Sequence, residues 1–231
     1  MKTSLWTDLR DFFFPRSCVG CGEKLHAGED GLCLKCFLDL PRTRFLNTRA
    51  NEMECRLWSS ALVCRATSVF YYTKGGVVAL VLQGMKYQGR KGLCRQMGTV
   101  MAAELLSTGF FEGIDCLIPV PLHPARMHQR GYNQSEWLAR GVQDRTSIPI
   151  ALDVLVRTHN NTTQTHKSSS ERWQSAQNLF ALTTQSNSLA HKHVLLIDDV
   201  FTTGATLAAC IDSLSSVEGI QVSVMTLAYA K

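Results

Sequence analysis

Two adjacent carboxylates, Asp198 and Asp199, close an unbroken apolar run from Val194 to Ile197, and Thr202, Thr203, Gly204, Ala205 and Thr206 follow within a few residues. An apolar run of this kind reads as a buried strand, and its carboxyl end is where open α/β sheets bind ligands. Gly204 allows the backbone amides of the hydroxyl-rich turn to close around an anion, and the helix expected from Thr206 to Leu214 adds the positive end of its dipole. Ionised carboxylates only accept hydrogen bonds, and the vicinal hydroxyls of a ribose donate them. A ribose carrying a 5′-phosphate satisfies both halves. Two other readings stay open: an acidic strand end before an ordinary capped helix, and paired carboxylates coordinating Mg²⁺ as in a phospho-receiver domain.

A second stretch with chemistry runs from Ile118 through Pro119, Val120 and Pro121 to Arg126, and on to Arg130, Gly131, Tyr132, Asn133 and Gln134. Its prolines fix a turn, Gly131 frees the backbone, and the guanidinium forks of Arg126 and Arg130 suit a pyrophosphate better than an amine would. A solvated basic loop is the alternative.

Nine cysteines contribute a third pattern. Cys18 and Cys21, then Cys33 and Cys36, form two CxxC pairs a short interval apart, with Gly20, Gly22 and Gly31 where the backbone must curl toward sulfur. Four soft ligands in two tight turns match the tetrahedron that structural Zn²⁺ prefers and leave no open position for catalysis. A redox dithiol pair or a packed thiol cluster is the competing reading. Cys55, Cys64, Cys94, Cys116 and Cys210 have no such pairing and are expected to behave as small hydrophobes.

The elements that must position these groups alternate. Thr67 to Tyr72 reads as a strand, Val77 to Tyr87 and Leu93 to Leu106 as helices, and Cys116 to Val120 as a short strand. Gln134 to Val142 is helical, Ala151 to Val156 a strand, and His193 to Ile197 and Val222 to Leu227 continuous apolar runs. Such alternation predicts a parallel sheet covered on both faces. The expected organisation is an amino-terminal helix and four-cysteine zinc knuckle over residues 1–40, a linker that holds a helix over 41–65, and the α/β domain over 66–231. The amino-terminal helix is drawn from the spacing of Leu5, Leu9, Phe12 and Phe13 before Pro15. Residues 157–180 are polar and too long for a passive connection, which suggests a mobile lid over a site, with a disordered insertion as the alternative.

The run from Val194 to Thr206 resembles the phosphoribosyl-pyrophosphate motif of type I phosphoribosyltransferases: hydrophobic residues, two acids, then Thr-Thr-Gly-x-Thr. Pro119 and Pro121 followed by Arg130-Gly-Tyr-Asn-Gln134, the cysteine knuckle, and Lys86-Tyr-Gln-Gly89 resemble the ComF-type, or competence protein F, branch of that family, and the likeness runs from Phe14 to the carboxyl terminus. The resemblance implies a type I phosphoribosyltransferase-like α/β fold plus a small zinc knuckle. It implies that Asp198 and Asp199 hold the ribose hydroxyls while Thr202 to Thr206 surround the 5′-phosphate of phosphoribosyl pyrophosphate, with Mg²⁺ assisting. Lys86, Arg126 and Arg130 would then stabilise charge on departing pyrophosphate. In the lid the family commonly shows Arg-x-x-Asn before a later Phe; Arg172 and Phe180 stand here, but Ser175 occupies the middle place. Relatedness to competence proteins also raises a binding module that docks single-stranded DNA or a DNA-uptake partner.

Composition narrows the classes. A chain of 231 residues with 45% hydrophobic and 19% charged residues can bury a sizeable core. No apolar run reaches the roughly 18 to 20 residues of a membrane span, and the longest candidate, Gly76 to Met85, is interrupted by Gln83 and Gly84. Trp6, Asp8, Arg10 and Asp11 stand where a secretory signal needs apolar residues, so a cytoplasmic location is expected, and with it reduced thiols. The net charge of +5 is mild, and Arg42, Arg44, Arg49, Arg56 and Arg65 concentrate part of it where phosphates could be met or where the segment is simply solvated. His123, His128, His159 and His166 sit in no nucleophile or metal pattern and read as solvated.

Overall fold

The computed structural model describes residues 16–45, 48–58, 60, 62–87, 89–158 and 179–231. The helix expected around Leu5 to Phe13 lies outside the described residues, as does the interior of the lid, with His159, His166, Arg172 and Ser175.

Four parallel strands form the main sheet: β1 (Val63–Tyr72), β2 (Cys116–Pro119), β5 (His193–Phe201) and β6 (Gln221–Ala230), in the order β1-β6-β5-β2. Two short strands, β3 (Leu155–Arg157) and β4 (Phe180–Leu182), pair antiparallel beside it. The helices are α1 (Leu34–Leu38), α2 (Glu52–Leu57), α3 (Val77–Tyr87), α4 (Lys91–Leu105), α5 (Pro124–Arg130), α6 (Gln134–Thr146) and α7 (Ala205–Leu214).

The continuous apolar character of β5 and β6 is explained by burial on both faces. Leu195 and Ile197 face a core built with Val81, Met85, Met97, Met101 and Leu138 from α3, α4 and α6. Val194 and Leu196 face a second core with Met53 and Leu57 from α2 and Leu207, Ile211 and Leu214 from α7. A parallel sheet closed in by helices on both sides is what removes its strands from water. The cysteine knuckle packs with the first core: a Cβ added at Gly20 would meet Cys36 and Val77, and one at Gly31 would meet Leu93.

Helices α4 and α6 approach to backbone contact. A Cβ at Gly98 would collide with the Leu138 carbonyl, and one at Gly141 with the Arg95 carbonyl, so only glycine permits this crossing. The crossing seats the amino end of α6 over the carboxyl edge of the sheet.

Residues 41–65, expected as a linker holding a helix, do hold one, and they are packed. Asn51 caps α2 by accepting from the Met53 and Glu54 amides at 3.0 Å each, Glu54 accepts from the Ala66 amide at 3.1 Å, and the Thr43 hydroxyl donates to the Ser68 carbonyl. Strand β1 begins at Val63, four residues before the expected start, because its first residues are only partly buried and show no apolar run. The ends of the expected lid meet: Arg157 and Phe180 are register partners in the β3–β4 pair.

Candidate functional site

Strand β5 outruns its neighbour β2. The two pair only from Cys116 with Val194 to Pro119 with Ile197, after which the Val120 amide donates to the Ile197 carbonyl at 2.9 Å. On its other side β5 stays paired with β6 through Asp198 with Thr226 and Phe201 with Tyr229. Asp198 and Asp199 therefore lie within the strand, not just past its tip as the sequence suggested, at the point where one side of the ladder opens. Alternation places Asp199 on the face of Ile197 and α3, and Asp198 on the opposite face with α7.

Each carboxylate has a partner. Lys86, in the last turn of α3, places its Nζ 2.8 Å from Asp199 Oδ2, and Asp199 is 8% exposed. Asp198 Oδ1 accepts from the Ser135 hydroxyl at 3.0 Å and from the Asp199 amide at 2.8 Å. Burial, followed by the neighbouring Asp199 charge, pushes the Asp198 carboxyl up to about 7, against the lowering effect of those two hydrogen bonds and of Lys86. No hydrogen bond to Asp198 Oδ2 is formed among the described residues, so it is free for a ligand hydroxyl or a metal ion.

Beyond the pair the chain turns through Thr202 and Thr203, both exposed, to Gly204 at φ 83°, and α7 starts at Ala205. Gly204, at the N-cap of α7, has no side chain to cap it. Its first-turn amides, which have no intrahelical acceptors, face the turn with the positive end of the helix dipole. The Thr203 hydroxyl accepts from the Ala205 amide at 3.4 Å, and Gly204 sits against the Phe201 ring, where a side chain would have no room. Ala205 and Thr206 are partly exposed at the same mouth.

One group of this site escaped the sequence reading, and another was read only as one of five arginines. Ser135 looks in sequence like an ordinary first-turn residue of α6, and only the fold brings it to Asp198. Arg56, grouped with the arginines that could meet phosphates, donates from Nη1 to the Thr202 carbonyl at 3.1 Å and lies 5.4 Å from the Tyr229 ring centroid. Because carbonyl and amide point opposite ways in a trans peptide, this bond fixes the direction of the Thr203 N–H.

The basic stretch after β2 has two parts. Pro124–Arg130 forms α5, which the proline-rich sequence concealed as a turn; Pro124 occupies a first-turn position where its missing N–H costs nothing. Arg126 lies on α5, partly exposed, and Arg130 donates to Gln134 Oε1 at 2.8 Å and stacks 5.9 Å from the Tyr87 ring. The residues that follow tie the site together. Tyr132 donates its hydroxyl to the Met85 carbonyl, Gln134 Nε2 donates to the same carbonyl at 3.4 Å, and Asn133 Nδ2 donates to the Val120 carbonyl at 3.0 Å while its Oδ1 caps α6 at the Ser135 amide. Lys86 and Ser135 are thus held by one network that joins α3, β2 and α6.

The four cysteines of the knuckle place their sulfurs within 4.8 Å of one another. Cys21 and Cys33 Sγ are 3.7 Å apart, the edge of a tetrahedron about 3.8 Å wide that Zn–S bonds of about 2.3 Å would make. The Cys33 amide donates to Cys18 Sγ at 3.3 Å and the Cys36 amide to Cys33 Sγ at 3.5 Å. Burial alone would raise the Cys18 thiol, but backbone amides of Cys33, Cys21 and Gly20 outweigh it and hold the group down to about 6; burial, with the sulfurs around it, pushes Cys36 up. Thiols that resist common ionisation while crowded together are the donor set a divalent cation resolves.

Residues 130–231 match the phosphoribosyl transferase domain model. The chain is 25% identical to competence protein F of Haemophilus influenzae over 210 residues, covering 84% of this chain and 89% of the relative. It is 28% identical to competence protein ComFC of Bacillus subtilis, covering 82% and 74%, and 28% identical to the DNA utilization protein YhgH of Salmonella typhi, covering 62% and 63%. The fold is of the type I phosphoribosyltransferase kind. No helix among the described residues is long and apolar enough to cross a membrane.

Proposed function

From the premise that this chain is a homologue of competence protein F and ComFC with a phosphoribosyl transferase domain, we propose that it binds phosphoribosyl pyrophosphate and transfers its phosphoribosyl group to an acceptor. The observation that carries this reading is the junction of two carboxylates at the open edge of β5 with a glycine-initiated helix directly after them. Asp198 and Asp199 accept from the ribose hydroxyls, and the amides of Thr203 to Thr206 receive the 5′-phosphate.

In the transfer the acceptor nitrogen forms a bond to the anomeric carbon as the bond to pyrophosphate breaks, and the proton of that nitrogen leaves with solvent or pyrophosphate. Lys86 and Arg126 supply positive charge near the departing group, and Arg130 supplies its own through the Gln134 contact that orients it. The donor set fits Mg²⁺, since the free Oδ2 of Asp198 and substrate oxygens together give the carboxylate-plus-phosphate coordination that ion favours. Bound there, the ion would neutralise charge on the pyrophosphate oxygens. Cys18, Cys21, Cys33 and Cys36 would hold a structural Zn²⁺ in the knuckle that packs on Val77 and Leu93, outside the reaction.

Calorimetric titration of phosphoribosyl pyrophosphate in the presence of magnesium tests the proposal. The Asp198→Asn, Asp199→Asn double variant is expected to lose measurable binding while keeping its fold by circular dichroism; unchanged affinity overturns the assignment. Single-stranded DNA or a DNA-uptake protein as partner gains no support from the arginine group: Arg42 bonds Glu104 at 2.9 Å, Arg56 bonds the phosphate turn, and Arg65 lies 5.0 Å from the Phe110 ring, so three of those five cations are engaged within the fold.

A further inference from the structure

Between β2, α5 and β3 lies a cavity of about 250 Å³, walled by Ile118, Leu122, Met127 and Val156 among other apolar groups. Arg157 also lines it. Its Nε is buried and has no hydrogen-bond partner among the described residues, and its guanidinium lies 5.4 Å from the Phe180 ring centroid. Burial first, and then the nearby Arg126 charge, disfavour the Arg157 cation, while Asp198 favours it. The Arg157 guanidinium is therefore within electrostatic reach of Asp198.

Of the other polar groups on the wall, Asp153 is exposed and two more are already engaged. Glu136 Oε1 accepts from Arg140 at 2.8 Å, and Asn133 spends its amide on Val120 and its carbonyl oxygen on Ser135. A buried donor left unpaired costs free energy, so a group that brings it an acceptor is favoured there. We infer that this cavity takes a planar ring bearing a carboxylate, the acceptor of the transfer proposed above, with the Arg157 fork as the carboxylate's partner. The inference rests on that proposed reading. Pyrophosphate is the poorer occupant, because its several charged oxygens need many donors, whereas these walls offer one free guanidinium edge beside apolar carbon and the carboxylates of Asp153 and Glu136, which repel a multiply charged anion most. A single carboxylate matches the two parallel N–H groups of an arginine fork, and the apolar walls accept a ring.

The test is calorimetry on the full, zinc-loaded chain with nicotinate and benzoate, each against its neutral amide, with and without ribose 5-phosphate. The acids are expected to bind at least about tenfold more tightly than the amides, a margin that one charge-assisted fork can supply. Arg157→Met should erase that preference, Arg157→Lys should keep part of it, and both should leave ribose 5-phosphate affinity unchanged. Equal affinity for acid and amide, no binding of either acid, or a preference that survives in Arg157→Met overturns the assignment. So does a variant that loses inorganic pyrophosphate and retains the acids. Failure of the wild type to bind ribose 5-phosphate counts against the proposed function instead, and titration without the sugar phosphate keeps the two failures apart.

Discussion

Replacing Asp198 by asparagine should make the ligand-free protein more stable. The Asp198 carboxyl is pushed up to about 7 from an ordinary 3.8, by burial and by Asp199. One pH unit between the folded and unfolded values corresponds to about 1.36 kcal/mol, so ionising Asp198 in the folded state costs about 4 kcal/mol; its partial exposure trims this to on the order of 2 to 4 kcal/mol. Both native hydrogen bonds end on Oδ1, so the carbonyl oxygen of asparagine can keep both while removing the charge. The sign follows from linkage. A carboxyl whose folded value lies above its unfolded value favours folding at low pH, and that contribution is lost as pH rises from about 4 through about 7. The Asn advantage is therefore largest above pH 7 and shrinks to about a quarter of its full size at pH 4.5. For a chain of this size the gain corresponds to a rise of between about 4 and 16 °C in melting temperature. Thermal melts of wild type and Asp198→Asn in magnesium-free buffer at pH 8 and pH 4.5 measure it. A variant that melts at or below wild type at pH 8, or whose advantage is the same at both pH values, refutes the reasoning.

Three further outcomes are expected. Gly141→Ala should lower stability by about 1–3 kcal/mol despite the better helix propensity of alanine, because its methyl meets the Arg95 backbone across the α4–α6 crossing; a denaturant titration with an unchanged midpoint speaks against that crossing. Arg56→Gln should weaken ribose 5-phosphate binding about tenfold, or ~1.4 kcal/mol, with little change in melting temperature, since the residue is exposed and acts on the Thr202 peptide; equal dissociation constants remove its assigned part in the phosphate turn. Protein purified without chelator should carry about one zinc per chain, and chelation should raise hydrogen exchange chiefly in residues 16–40; zinc content far below one per chain contradicts the knuckle assignment.

Much of the architecture was legible because it rests on local pattern. Val77–Tyr87 is helical over the span its periodicity marks, and the apolar runs at Leu117, Leu195 and Val224 are fully buried strand segments, since continuous hydrophobicity is the mark of strands buried on both faces. The cysteine cluster was legible because both pairs are local and the interval between them is short. What could not be read depended on contacts distant in sequence. Ser135 and Asp198 are 63 residues apart, Arg56 and Thr202 are 146 apart, and neither contact leaves a periodic trace. Tyr132, Asn133 and Gln134 stand out as a motif, yet their task of bracing Met85 and Val120 depends on where α3 and β2 end. In sequence Arg157 merely opens a polar segment, and only the fold pairs it with Phe180 and brings it to the wall of a cavity.

The opposite orientation of Asp198 and Asp199 has a cost that the protein must guard against. Because neighbours along a strand project to opposite sides, sliding β5 by a single step against β6 would exchange the surroundings of the two acids, offering Asp198 to the lysine and sending Asp199 among the α7 side chains. The pairing of Ile197 with Met225 and of Phe201 with Tyr229 brackets the acids with bulky, fully enclosed side chains on either flank. These neighbours act as detents: they lock the strand at the one alignment in which each acid faces its proper companion, so enlarging or trimming them would disturb the setting of both acids.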